Sequence, residues 1–165
     1  PFMSSQEDMP ASQIANMLAR LNTVGSAGDS VEHLPFIGFL INKAAQSVVA
    51  RSDALLEPFG INSRHYGILY VIAQEPGLPQ KAIGEKLRID RTTMVKLVDD
   101  LEKLGLVQRQ KDPNDRRAYA LSLSALGAEK LPDISQHVQQ AEALILASLT
   151  PEEIQQLLAI LIKLL

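Results

Sequence analysis

The sequence predicts a mainly α protein with a small β-hairpin wing: a winged helix-turn-helix flanked by long dimerisation helices. Three observations lead there. Two helical patterns, about 79–87 and 91–104, are separated by only a few residues. Two short alternating segments, 106–109 and 118–123, follow at once, joined by the turn-forming stretch DPNDRR (112–117). Longer apolar-periodic stretches lie on both sides, about 34–59 and 125–148, with one more helix at the C-terminus.

Each element has a local cause. Residues 1–9 read as disordered, 10–22 can form a short helix through Ile14, Met17, Leu18 and Leu21, and TVGSAGDS (23–30) reads as a linker. Together 1–33 form an N-terminal extension. A long helix is expected from Leu34 to about Phe59, stopped by Gly60. Asn62-Ser63 can cap a helix over 64–74. EPGLP (75–79) breaks it, and Pro79 suits the first turn of the next. Asp90 is the expected N-cap of 91–104, where Met94, Leu97, Val98, Leu101 and Leu104 recur with a period near 3.6. Gly105 stands where a helix-ending glycine belongs. Ser124 opens the helix over 125–148. Thr150-Pro151-Glu152-Glu153 opens the last one, with a capping hydroxyl, a proline at the first position and acids in the first turn. The expected division is a DNA-binding domain over 63–123 and a helical dimerisation region built from 34–62 and 124–165.

Composition narrows the function. The chain has 165 residues, and 46% of them are hydrophobic, enough for a core. Without cysteine there is no disulfide, thiolate metal site or cysteine nucleophile. His33, His65 and His137 lack compact ligand spacing, so no metal or other cofactor is expected. No phosphate-cradling glycine loop, G-x-S-x-G or H-E-x-x-H is present, so an enzyme is not expected. Nothing at the start reads as a signal peptide. The longest apolar run, IQQLLAILIKLL, falls short of the roughly 20 residues that span a bilayer. A cytoplasmic protein with no membrane partner is expected.

Charge is unevenly placed. The net charge is −3, yet Gln80 to Arg117 holds ten basic and seven acidic residues. A basic segment in an acidic chain suits a polyanion. On a helical wheel of 91–104, Thr92, Lys96, Asp99 and Lys103 lie opposite the apolar stripe, with Arg91 and Thr93 on its flanks. A DNA-reading helix needs that division: one stripe holds it to its domain while N-terminal side chains enter the major groove. A winged helix that bound only protein, without DNA, is the alternative; Arg91, Lys96, Arg116 and Arg117 speak against it.

Residues 79–127 resemble the core signature of the MarR family of bacterial transcription regulators, most specifically in DRTTMVKLVDDLEKLGLV and the wing DPNDRR. The resemblance covers about Leu34 to Leu165. It implies a homodimer on a palindromic double-stranded DNA operator, acting as a repressor released by a small anionic or phenolic effector. By the same resemblance, Arg91, Thr92, Thr93 and Lys96 match recognition-helix positions. Asp115 and Arg117 match the wing's Asp-x-Arg, in which the arginine enters the minor groove and the aspartate orients it. Arg116, Arg64, Gln80 and Lys81 are expected phosphate contacts. Phe36, Phe39, Arg51, His65, Tyr66 and Tyr70 are the candidates for an effector pocket. The last helix, apolar nearly all round from Ile154 to Leu165, needs a partner on one flank, and a two-fold dimer supplies one.

Overall fold

The computed structural model describes residues 34–111 and 119–165, and the side chains from residue 37 onward. The expected helix over 10–22, the linker and the wing tip lie outside the described residues. Six helices and one hairpin are described: α1 (Leu34–Leu56), α2 (Ser63–Gln74), α3 (Gln80–Leu87), α4 (Arg91–Lys103), β1 (Val107–Lys111), β2 (Tyr119–Leu123), α5 (Ala125–Leu146) and α6 (Pro151–Leu164). Lys43–Leu165 forms one compact unit; of the other unit, the described part is the helical stretch from residue 34 to 42.

Local chemistry starts the helices where expected. Asn62 Oδ1 accepts from the backbone N–H groups of Arg64 and His65, while His65 Nδ1 accepts in return from Asn62 N–H at 3.2 Å. That reciprocal cap satisfies donors a helix N-terminus otherwise leaves free. Asp90 Oδ1 accepts from Thr93 N–H at 3.0 Å, and Ser124 Oγ from Gly127 N–H at 2.9 Å. Thr150 and Glu153 form a second reciprocal cap on α6. Gly60 (φ 71°) and Gly105 (φ 73°) sit in the left-handed region at the ends of helical segments.

Several boundaries differ from expectation. The long helix stops at Leu56, and a single 3-10 turn over Glu57–Phe59 leads to Gly60. The hairpin is shifted: β1 runs to Lys111, and β2 begins at Tyr119, in the antiparallel register Val107↔Leu123 to Lys111↔Tyr119. Leu104 does not extend the buried stripe of α4. The helix ends at Lys103, and Leu104 turns out over Gly60, 38% exposed.

The core lies where α2, α3, α4, the hairpin and α5 converge. Leu56, Ile68, Ile83, Val98, Leu101 and Leu121 are fully enclosed. Each such side chain contributes about 1.5–3 kcal/mol of transfer free energy. The segment before α3 acts as a third, minimal strand on the inner edge of β2: Gly77 N–H donates to the Leu121 carbonyl at 3.1 Å, and Leu121 N–H to the Leu78 carbonyl at 3.0 Å. At the start of α5, the backbone of Gly127 lies against the Leu106 carbonyl so closely that a Cβ there would come within 1.9 Å of its oxygen. Most of α6 is uncovered: Leu158, Ile160, Ile162 and Leu164 are each more than half exposed. No single helix among the described residues is long and apolar enough to cross a membrane.

Candidate nucleic-acid interface

Helix α4 divides as the wheel predicts. Met94, Leu97, Val98 and Leu101 are buried, and Arg91, Thr92 and Lys96 are exposed. Thr93 is half-buried, and its hydroxyl serves the cap: together with its N–H it holds the Asp90 carboxyl below its ordinary 3.8. Val95, 40% exposed, stands on the outer face between Thr92 and Lys96, a position that the apolar period alone does not single out.

The basic residues separate into two groups. Lys81 pairs with Glu85 at 3.7 Å, Lys86 with Glu75 at 2.9 Å, and Lys103 with Asp100 at 3.6 Å. Arg109 is enclosed by acids, with Asp99 at 2.6 Å and Glu102 also in contact. Arg91, Lys96, Arg88 and Lys111 have no acidic partner among the described residues. The first turns of α4 therefore carry unneutralised cations, while the rear of the helix carries self-neutralised pairs.

At the helix starts, Arg64 and Lys81 are exposed and Gln80 is half-buried. Gln80 Oε1 accepts from Arg109 Nε at 3.0 Å. The sequence counts Arg109 only as one more cation on the basic segment. Strand alternation from buried Val107 is the signal that places it inward. Arg64 also lines a cleft of about 250 Å³ with Ser63, Gly67, Leu87, Arg88, Ile89 and Asp90, between the start of α2 and the turn that joins α3 to α4. Asp115, Arg116 and Arg117 lie outside the described residues.

None of the residues expected at an effector pocket lines that cleft. His65 is buried as a structural group: Nδ1 serves the α2 cap, and Nε2 lies 3.7 Å from Asp100 Oδ2. Burial lowers its pKa from the ordinary 6.5, outweighing the nearby carboxylates of Asp100 and Asp53. Tyr66 and Tyr70 lie side by side, ring centroids 6.2 Å apart, with Tyr70 half exposed and the Tyr66 hydroxyl near Ser135 Oγ at 3.4 Å. Arg51 is exposed on α1, Phe39 belongs to the other unit, and the Phe36 side chain lies outside the described residues.

Comparison with known proteins agrees on one family. Residues 59–118 match the model of the MarR family. Over 105 residues the chain is 37% identical to a Thauera aromatica protein named as a transcriptional regulatory protein for the hcr operon; the match takes in 64% of this chain and 63% of that protein's length. The fold is similar to a MarR transcriptional regulator from Methanosarcina mazei Go1, at 27% identity and a TM-score of 0.71 over 78% of this chain and 95% of that one. It is also similar to a mutant E. coli MarR complexed with operator DNA, at 24% identity and a TM-score of 0.74 over 84% of this chain and 99% of that one.

Proposed function

We propose that the chain belongs to the MarR family and is a cytoplasmic, sequence-specific DNA-binding regulator that acts as a homodimer on a palindromic operator. The observation that carries this reading is α4: one stripe is fixed in the core, and the opposite N-terminal face holds exposed Arg91, Thr92, Val95 and Lys96 with both cations unpaired. That face can enter a major groove, where Arg91 and Lys96 donate to guanine O6 and N7 and Val95 meets a thymine methyl. Thr92 and Thr93 lie beside the bases, and the helix N-terminus favours a phosphate. Arg64, Gln80, Lys81 and Arg116 hold the DNA backbone; Arg117, oriented by Asp115, reaches a minor groove, whose negative potential suits arginine. The uncovered apolar face of α6 supplies the self-association surface. A phenolic or carboxylate effector that weakens DNA binding is a further part of the reading, supported by the Tyr66–Tyr70 pair, of which Tyr70 is half exposed.

Selection of duplexes from a random-sequence pool tests the core of this reading. The selected sites should be inverted repeats with half-site centres about 34 Å apart, one turn of DNA. Affinity should fall linearly on logarithmic axes as salt rises. Recovery of no preferred duplex defeats the proposal. The wing offers a sharper sign. Asp115→Ala removes a negative charge, so a pure charge account demands tighter binding; an orienting aspartate demands weaker binding. A folded Asp115→Ala dimer that binds more tightly refutes the orienting role.

A further inference from the structure

We infer that Arg109 is a positioning residue for DNA binding, one that touches no DNA but aims the Gln80 amide at a backbone phosphate and holds α3, α4 and the wing in one arrangement. The inference rests on the DNA-binding reading above. Arg109 belongs to the basic segment, yet only 18% of its side chain is exposed. Its donors are committed internally. Nη1 donates to Asp99 Oδ1 at 2.6 Å and to Glu102; Nε donates to Gln80 Oε1 at 3.0 Å; Nη2 reaches the Val95 carbonyl at 3.4 Å. The Arg109 backbone N–H also donates to Glu102, at 3.0 Å. One side chain on β1 thus ties three positions of α4 to the first residue of α3.

Two consequences follow from the chemistry of the group. A guanidinium only donates, so the Gln80 atom that faces it is the oxygen. The Gln80 NH2 is then turned away from Arg109, at a helix start where free backbone N–H groups already favour an anion. Asp99 and Glu102, meanwhile, are two carboxylates on the helix proposed to approach a polyanion. Arg109 draws both inward and offsets part of their charge. A planar fork can serve these partners together; an ammonium, as a point charge on a flexible stem, cannot reproduce that geometry.

The test uses the full chain, a duplex that the wild-type protein selects from a random-sequence pool, a salt series and thermal melting. Gln80→Glu keeps an acceptor for Arg109 but deletes the amide donor and points negative charge at the phosphate. It should melt at or above the wild-type temperature while affinity falls roughly tenfold or more, the scale of one charge-assisted contact. Arg109→Lys should lose roughly tenfold with the salt slope unchanged, because no ionic phosphate contact is removed. Gln80→Ala should then cost far less in the Arg109→Lys background than alone, since both changes remove the same aimed amide. Wild-type affinity in Gln80→Glu overturns the assignment. So does a slope that drops by about one in Arg109→Lys, the mark of a direct phosphate contact, or full additivity of the pair. Should Arg109→Lys fail to fold, Gln80→Glu decides alone. If the wild-type protein selects no duplex, the regulatory reading fails and takes the assignment with it; if it selects one and the variants behave as wild type, only the assignment fails.

Discussion

Helices α4 and α6 begin by the same chemistry and end in opposite circumstances. Asp90 caps the first and Thr150 the second, each accepting from a backbone N–H three residues on. Both carry enough apolar residues for a wide stripe. The stripe of α4 is buried within its own chain; that of α6 stays open, with Leu158, Ile160, Ile162 and Leu164 more than half exposed. Capping and periodicity therefore decide that a helix forms, but not what covers it. Cover comes from the rest of the chain or from a second molecule.

Substitutions can break this contrast in order of expected size. The largest effect should come from the seam that fastens α5 to the lobe. Gly127→Ala puts a methyl group into the Leu106 carbonyl, where no flexible side chain can yield, and should cost on the order of 4 kcal/mol or abolish folding. A denaturant melt that shifts by less than about 1 kcal/mol would show that the seam opens freely.

Next come the two apolar faces themselves. Ile68→Ala, in the closed core, should lose about 2–5 kcal/mol. Leu158→Glu, on the open face, should leave the lobe folded and its melting nearly unchanged at high dilution, while sedimentation shows loss of self-association. A Leu158→Glu protein that remains a dimer would assign the covering partner to another surface.

The caps should show a smaller difference, in kind rather than in size. Asp90→Ala and Thr150→Ala each remove an N-cap, worth about 1 kcal/mol. In α4 the loss should appear as lower global stability and weaker DNA binding, because the helix is part of the core. In α6 it should appear as local fraying, read by amide exchange, with the lobe unaffected. Equal loss of global stability in both would mean that α6 is as tightly integrated as α4.

The smallest effect is one of pH. His65 is held neutral by burial, with its pKa lowered from 6.5. Stability from the neutral ring is complete above 6.5 and is lost as pH falls through the lowered value, because the unfolded chain takes up the proton first. Melting temperature should fall modestly below pH 6.5, and His65→Gln should flatten that limb. Asp90, also lowered, acts in the same direction but only in the window below 3.8.

What could be read from sequence divides along the same line. The helix starts at Asn62, Asp90, Ser124 and Thr150 were legible because a cap is a matter of neighbours along the chain. The division of α4 was legible because its period is local too. Arg109 was not, since a charge count cannot tell a cation facing solvent from one enclosed by Asp99 and Glu102. Gly127 was not, since its need for a bare backbone arises only when Leu106 arrives from elsewhere in the chain. Leu104 continued the period but lies one residue past the helix end, where the period no longer governs direction. Nor was the approach of the Tyr66 hydroxyl to Ser135 legible, since α5 meets α2 only in the fold.

The small hairpin also bears on how this protein behaves in a crowded solution. A lone strand edge is a template for pairing with another chain, and aggregation often begins there. Here neither edge offers one readily. The inner edge of β2 is occupied by Gly77 and Leu78. On the outer edge of β1, the N–H of Arg109 is taken by the Glu102 carboxylate, and Gln108, Gln110 and Lys111 present polar side chains. Glu102 therefore does more than face an arginine: it occupies the hydrogen-bonding site through which a stray strand would enlist this hairpin. Glu102→Ala should raise the tendency of the protein to form sheet-rich aggregates on mild heating, even where the native lobe is still folded.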